Sequence, residues 1–246
     1  MIITKDIKMA DVVHMNHFSL SIFDRFGIEL GFGDKTVEET CKKHGVDPDF
    51  FLEIINAFID KDYFPKKQLQ GFSVKLITDY LQKTHDYYIQ TKVPEIESLI
   101  EQMVDTCYTQ KENISLLKRF FLEYKNELKN HVTHEEILVF PYTQMIEEAY
   151  YSDSIQKDVL KKMEQYSIDI FEKEHDNIEE KLFDLKNIII KYLPQPNNRI
   201  LCHNLLHELF GLEKDINDHS RIEDKVLVPK IRAMEKEIKK KAGINF

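Results

Sequence analysis

Two segments of the chain carry the same motif, and this repeat restricts the possible folds more than any other feature. Residues 131–141 read HVTHEEILVFP, and residues 219–229 read HSRIEDKVLVP. Each segment has a histidine, a glutamate four positions later, a second acidic residue beside it, one variable residue, three apolar residues and a proline. Residues four positions apart lie on one face of an α-helix, so each histidine and its glutamate are predicted to point the same way.

The residues before each motif indicate which face this is. Apolar side chains recur at alternating steps of four and three positions, which is the spacing of the buried face of an amphipathic helix. The motif histidines and glutamates continue this spacing, so we expect them to replace hydrophobic residues in the core. The stripes are Leu117, Phe121, Tyr124, Leu128, His131 and Glu135 in one helix, and Leu205, Leu209, Leu212, Ile216, His219 and Glu223 in the other.

Two further histidines lie on predicted buried stripes. His85 and His175 each follow apolar residues at helical spacing, and an aspartate comes directly after each of them. Nearly equal lengths of chain separate His85 from His131 and His175 from His219. The sequence therefore predicts two similar helical hairpins, each with one lone histidine and one histidine–glutamate motif.

The fold class predicted from these patterns is all-α. Glycine and proline occur only seven times each, and 42% of the residues are hydrophobic, which suits a helical protein with a substantial core. Four long helices are expected at about 73–107, 112–148, 153–192 and 197–240. Because the connections are short, the simplest packing is an antiparallel up-down-up-down four-helix bundle. We assign residues 73–240 to this bundle, 63–72 to a linker and 1–62 to a small helical N-terminal domain.

The N-terminal domain has its own helix signals. Apolar positions from Met9 to Phe26 predict a first helix, and the glycine-rich stretch 27–34 predicts a loop. Thr36, with Glu39 three positions on, predicts a capping box for a second helix. Asp47 is expected to begin a third.

The buried polar residues predict a metal centre. An ionised glutamate in a bundle core is costly unless it is paired or binds a metal. Four imidazoles and two carboxylates provide up to eight donor atoms if both carboxylates bridge, which is too many for one ion and suits two. Nitrogen and oxygen donors without thiolates favour iron or manganese over structural zinc. The alternatives are a mononuclear site with spare ligands, and histidines that pack in the core without a metal.

Charge and cysteine content bear on partners and location. The formal net charge is −9, which argues against a broad nucleic-acid surface. Cys41, Cys107 and Cys202 are far apart, so a disulfide framework is not expected. No apolar run has the length of a membrane span, and no signal peptide is recognisable. These features predict a cytoplasmic protein without a membrane or nucleic-acid partner.

The motif residues resemble the hemerythrin-like, HHE cation-binding family, whose hallmark is paired H…HxxxE motifs on four helices. More closely, residues 10–60 and 75–235 are similar to the iron–sulfur cluster repair di-iron proteins, the ScdA/YtfE group. The resemblance implies His85, His131, His175 and His219 as terminal ligands of two non-haem iron ions. It implies Glu135 and Glu223 as bridging carboxylates, with an oxo or hydroxo group as a further bridge.

The N-terminal part of the resemblance has one departure. That family's N-terminal domain usually carries an adjacent cysteine pair, and Gly31-Phe32 stands at that place here. Thiol chemistry or metal transfer by such a pair is therefore not carried over. Cys41 remains and is interpreted as a small buried helix residue. The domain is still a candidate surface for docking or for homodimer formation.

Other residues near the motifs are weighed as secondary candidates. His134 is expected at the surface or beside the ligands, and His203 and His207 are expected at the surface or in packing. Glu127 and Glu174 could tune a ligand or carry protons, or could be solvated. Tyr88 and Tyr124 are expected in the core, with a hydrogen bond to the centre as the alternative.

Three functions are consistent with these features. The family resemblance implies repair of iron–sulfur clusters damaged by nitric oxide or oxidants, by iron donation or by nitric oxide reduction at the di-iron site. The second reading is a non-catalytic protein that binds or senses dioxygen or nitric oxide. The third is a structural or regulatory module with a stabilising metal. No catalytic residue is predicted outside the metal site, and the expected partners are a small diatomic ligand and damaged iron–sulfur proteins.

Overall fold

The computed structural model describes residues 2–60, 62–106, 112–174 and 178–243 of the chain. Within these ranges the regular structure is helical, and the single β-type contact is an isolated bridge between Lys8 and Thr36. The all-α fold class is confirmed. Within the same ranges no helix combines the length and the apolar character that crossing a membrane requires.

Four long helical runs form the bundle. The first comprises Val74–Tyr87, Tyr88–Lys92 and Val93–Thr106, and the second comprises Glu112–His134, Glu135–Val139 and Phe140–Tyr151. The third is described as Ile168–Glu174, Ile178–Asn187 and Ile188–Tyr192. The fourth comprises Arg199–Ile222, Glu223–Leu227 and Val228–Lys241.

The third predicted helix, 153–192, is wrong in its first part. Lys157–Gln165 is a separate short helix, and Tyr166 is extended. The backbone N–H of Ile168 donates to Glu235 of the fourth helix at 3.0 Å, and the same carboxylate accepts from the hydroxyl of Tyr142. The first N–H groups of a helix need partners outside it. A buried carboxylate from a distant part of the sequence therefore allows a new helix to begin at Ile168.

Each bundle helix contains one wide turn of the π type, and each wide turn lies at the same distance from a proline. The turns Tyr88–Lys92, Glu135–Val139, Ile188–Tyr192 and Glu223–Leu227 all end two residues before Pro94, Pro141, Pro194 or Pro229. A proline has no N–H, and its ring clashes with the carbonyl four residues earlier in a regular α-helix. The extra residue of a π turn relieves this clash, so three of the helices continue past their prolines.

The first and second bundle helices run in opposite directions. Lys118 and Lys125 of the second helix bind Glu101 and Glu97 of the first, so the order of one helix is reversed in the other. The same reversal relates the fourth helix to the first and the third to the fourth, through the pairs Lys92–Glu208, Tyr88–Asp215, Lys186–Glu213 and Asp169–Arg232.

The bundle core is divided into two apolar clusters. One draws on residues 88–103, 117–132, 178–189 and 201–216, and the other on 74–81, 139–149, 159–171 and 222–238. His85, Glu135 and His219 fall at the boundary between the clusters, and Glu223 adjoins it. These four sequence-predicted ligands thus occupy a polar layer across the middle of the bundle.

The N-terminal region consists of four short helices, Met9–Met15, Ser19–Arg25, Val37–Lys43 and Pro48–Ile59. The predicted caps at Thr36 and Asp47 are confirmed. The predicted single helix from Met9 to Phe26 is wrong. It breaks at Asn16, whose side chain accepts a hydrogen bond from the N–H of Phe18 and so competes with helical pairing.

The N-terminal region packs closely on the bundle. Most of its buried apolar residues, from Ile3 to Phe58, belong to the second of the two clusters, together with the bundle residues in 74–81, 139–149, 159–171 and 222–238. The predicted linker contains the helix Lys66–Gly71, whose Leu69 is fully buried in that cluster. The proposed division at residues 62 and 73 therefore describes the order of the chain and not two separate cores.

The burial of Cys41 generates a chemical prediction. The side chain is fully buried, and burial raises the pKa of its thiol to about 12. Because the thiolate is the reactive form, a Cys107→Ser/Cys202→Ser variant should react with a thiol reagent at neutral pH only after unfolding. Absorbance of the released chromophore, with and without denaturant, measures this. Similar rates in the folded and unfolded protein would contradict the burial of Cys41.

Candidate metal centre

Four of the six predicted ligands meet in one buried group. The side-chain donor atoms of His85, Glu135, His219 and Glu223 all lie within 4.8 Å of one another. The two glutamates are fully buried, and the two histidines are nearly so. They come from the first, second and fourth bundle helices. Residues from both copies of the repeated motif, Glu135 from the first and His219 and Glu223 from the second, are therefore neighbours in the structure.

The nitrogen and oxygen separations have the values expected for neighbouring ligands of one ion. The Nε2 atoms of His85 and His219 lie 3.1 Å apart. His85 Nε2 is 3.1 Å from Glu135 Oε2, and His219 Nε2 is 3.1 Å from Glu223 Oε1. Two ligands at about 2.1 Å from an ion, and at a right angle to each other, are about 3 Å apart. These four residues can therefore share one metal position.

His131 lies beside the other oxygen of Glu135. Its Nε2 lies 3.0 Å from Glu135 Oε1, while the other oxygen of the same carboxylate faces His85. Glu135 therefore presents one oxygen to each of two histidines on different helices, which is the arrangement of a carboxylate that bridges two ions. The His131 side chain is 16% exposed, which makes it the most accessible of these ligands.

The remaining predicted ligand, His175, lies outside the described residues. So do Cys107 and the side chain of Glu174. The flanking helices Ile168–Glu174 and Ile178–Asn187 belong to the third bundle helix, and its Lys181 binds Glu127, one turn before His131.

Glu136 is a functional candidate that the sequence reasoning did not single out. It lies 2.9 Å from Nδ1 of His85, on the side of the ring opposite the donor cluster. A carboxylate in this place fixes the tautomer and orientation of a metal-binding histidine. The signal was present in the sequence, because the acidic residue after the motif glutamate recurs as Asp224 in the second repeat.

The surroundings of His85 favour a polarised imidazole. Burial alone would lower the pKa of His85, but hydrogen bonds to Glu135 and Glu136 raise it to about 9. The ring also stacks on Phe140 of the second helix, with centroids 5.5 Å apart. The carboxylates on both edges and the aromatic face restrict the ring to one orientation, so Nε2 is held toward the cluster.

A buried ion pair lies directly beside this layer. Arg25 of the N-terminal region binds Asp215, which is one turn before His219, and Tyr88 also donates to Asp215 at 3.3 Å. Burial would lower the pKa of Arg25, but the charge of Asp215 raises it well above its usual value. The sequence reasoning missed this pair because its members are 190 residues apart and share no motif.

The secondary candidates lie outside the donor cluster. His134, His203 and His207 are exposed, and Glu127 forms a half-exposed ion pair with Lys181. Tyr88 and Tyr124 are buried in the core, as expected, and Tyr88 reaches Asp215 instead of the donor atoms of the cluster.

The donor set suits a hard or borderline metal ion. It consists of imidazole nitrogens and carboxylate oxygens, and the two cysteines within the described ranges, Cys41 and Cys202, lie in the apolar clusters away from it. Such a set favours iron or manganese over thiolate-bound zinc or copper. Two buried carboxylates placed this close together also need a compensating positive charge.

Comparison with known proteins gives a matching family and a similar protein. The sequence profile of the hemerythrin HHE cation binding domain matches residues 95–231 of the chain. The chain is also 20% identical, over 234 residues, to the iron-sulfur cluster repair protein ScdA of Staphylococcus haemolyticus (strain JCSC1435). That alignment covers 93% of this chain and 99% of the relative, so the similarity includes the N-terminal region.

The contact between Glu136 and His85 predicts a measurable effect on metal binding. Glu136→Gln should weaken ferrous or cobaltous ion binding by about 10- to 100-fold, because the amide holds the imidazole less strongly than the carboxylate does. Competition with a chromophoric chelator measures the Kd. Glu123→Gln, an exposed change in the same helix, is the matched control. Equal affinities of the two variants would remove Glu136 from the centre.

Proposed function

We propose, since the chain belongs to the hemerythrin HHE cation-binding family, that its buried histidines and glutamates hold two non-haem iron ions. The proposed ligands are His85, His131, Glu135, His175, His219 and Glu223. The ions would be bridged by carboxylate and by an oxo or hydroxo group. When bound, they would supply redox chemistry and open positions for a small ligand.

The paired oxygens of Glu135 are the observation that carries the proposal of two ions. One oxygen faces His85 and the other faces His131, each at about hydrogen-bond distance. A single ion at the His85 position would leave His131 and the second oxygen without a role. The internal repeat supports the same conclusion, because it supplies the second half of the ligand set from the third and fourth helices.

We further propose that the protein takes part in the repair of damaged iron–sulfur clusters. Support comes from the relative named for that function, to which this chain is similar along nearly the whole length of both proteins. Damage by nitric oxide or oxidants is the proposed stress, and damaged iron–sulfur proteins are the proposed partners. The site of action would be the cytoplasm.

Two chemical routes to repair are compatible with the ligand set. In the first, the protein donates iron for rebuilding clusters, and His131, the most exposed of the proposed ligands that the structure describes, would be nearest to solvent for release. In the second, two nitric oxide molecules, two electrons from an external reductant and two protons give nitrous oxide and water. Both routes use the same buried layer, so they share ligands and differ in product.

A dioxygen or nitric oxide carrier or sensor is the alternative, and the histidine inventory argues against a carrier. Oxygen-carrying hemerythrins use more histidine ligands. Of the ten histidines here, His14, His17, His134, His203 and His207 are exposed, and His44 contacts the carbonyl of Thr40. Within the described ranges no additional histidine joins the cluster, so the carboxylate share of the ligand set stays high.

Iron content tests the ligand assignment. Anaerobically purified protein should hold about two iron ions per chain, as expected for a carboxylate-bridged pair in a bundle. Glu135→Ala and His131→Ala should lower this content, because each removes a donor from the second position. His134→Ala is the matched control, since this exposed histidine lies in the same helix turn. Full iron content in every ligand variant, measured by elemental analysis, would defeat the assignment.

A repair assay tests the function and separates its routes. Iron-loaded protein, mixed with a nitric oxide-damaged iron–sulfur dehydratase, sulfide and a thiol reductant, should restore dehydratase activity. Glu223→Ala should not, while His134→Ala should behave as wild type. Nitrous oxide in the headspace after anaerobic addition of nitric oxide and reductant indicates the second route. If neither restored activity nor nitrous oxide were detected, cluster repair would be rejected. A stable, reversible dioxygen adduct would favour the carrier.

A further inference from the structure

We propose that a single water molecule binds between the N-terminal region and the metal layer, and that it joins Arg25 to the ligand His219. The proposal goes beyond cluster repair and does not depend on it. It concerns a cavity of about 20 Å³ whose lining includes both residues. A cavity of this size holds one water molecule and little else.

Two buried nitrogen atoms point to a ligand in this cavity. Nδ1 of His219 and Nε of Arg25 donate to no other protein atom in the parts of the chain that the structure describes. Their side chains are 5% and 2% exposed. A buried N–H without an acceptor is costly, so one shared acceptor in the cavity would relieve both groups at once.

Metal binding at Nε2 of His219 would make its Nδ1 a donor. Its Nε2 lies 3.1 Å from Glu223 and faces the donor cluster, so a metal ion would bind that nitrogen. The proton of the neutral imidazole then resides on Nδ1. Arg25 Nε–H is always a donor. Both donors belong to residues that line the same small cavity, so one oxygen that accepts twice would satisfy them together.

The charges around the cavity favour water over an anion. Arg25 is already paired with Asp215, and Asp218 also lines the cavity while paired with Lys214 and Arg221. The two aspartates balance the two arginines that line the cavity, Arg25 and Arg221, so no net positive charge remains to hold a chloride or a carboxylate. Water can accept from the two N–H groups and donate its own protons to the carboxylates, which gives it the two to four partners that buried water normally has.

The water would complete a pattern that His85 already shows. The Nε2 atoms of His85 and His219 lie 3.1 Å apart, as neighbouring ligands of one proposed metal position would, and Nδ1 of His85 contacts a carboxylate, Glu136. Nδ1 of His219 would reach the carboxylate of Asp215 through the water. Outer partners of this kind orient metal-binding histidines. Arg25 is then a positioning residue, and it belongs to the N-terminal region, whose packing is thereby coupled to a ligand in the bundle.

A high-resolution crystal structure of the metal-loaded full chain is the direct test. Density for one water within hydrogen-bond distance of both Arg25 Nε and His219 Nδ1 is the expected result. An empty cavity would overturn the proposal, and so would a direct hydrogen bond from Nδ1 to a protein group. Loading with zinc suffices, so failure of the repair function would not affect this outcome.

Variants test the coupling of the water to metal binding. Arg25→Lys keeps a cation opposite Asp215 but removes Nε–H, and it should raise the Kd for zinc or ferrous ion by about tenfold. Ala57→Val should have a similar effect, because Ala57 lines the cavity and added methyl groups would displace the water.

Lys214→Gln is the matched control for these variants. Lys214 donates to the backbone of Phe58 and so also joins the N-terminal region to the bundle, but it does not line this cavity. Its Kd should match that of wild type, with helicity checked by circular dichroism throughout. Two results would overturn the role of the water: an unchanged Kd in folded Ala57→Val, or a loss of affinity in Lys214→Gln as large as that in Arg25→Lys. Either one would assign the effect of Arg25→Lys to the docking of the N-terminal region on the bundle.

Discussion

The burial of two carboxylates in the middle of a helical bundle is the constraint on which the rest of the structure depends. Glu135 and Glu223 are fully buried, and their donor atoms lie close to each other and to two histidines. An uncompensated pair of buried anions would oppose folding strongly. The bundle places these four residues in one polar layer, where a positive ion could compensate the carboxylates, with a separate apolar cluster on each side. The ligand set and the division of the core are therefore one feature.

The prolines of the bundle act on the same layer. A π turn begins at Glu135 in the second helix and at Glu223 in the fourth, and each ends two residues before a proline. The turn that accommodates the proline ring thus sets the direction of the glutamate at its start. The proline that ends each repeated motif therefore affects the orientation of the glutamate in the same motif. A repeat that reads HxxxE followed by a proline encodes both the donors and the local backbone geometry that directs them.

Helical spacing made most of this predictable from the sequence, because the period of the buried stripe assigns His131, Glu135, His219 and Glu223 to one side of their helices. What it could not supply were contacts between residues with no local relation. The break before Ile168 depends on Glu235, 67 residues away, and the partner of Asp215 lies in the N-terminal region. Glu136 was visible as a repeated acidic position, but its role depends on which helix lies opposite, and only packing determines that.

The packing of the N-terminal region on the bundle indicates a structural and electrostatic role for this region. It lacks the cysteine pair that its resemblance would supply, with Gly31-Phe32 at that place, so thiol chemistry does not explain its presence. Its apolar residues instead complete one of the two bundle clusters, and it places the guanidinium of Arg25 against Asp215, one turn from His219. Removing one partner of a buried ion pair is costly, because the other charge is then left uncompensated. Displacing the region would therefore leave Asp215 unpaired beside the ligand layer, which ties the position of the N-terminal region to the electrostatics of the centre.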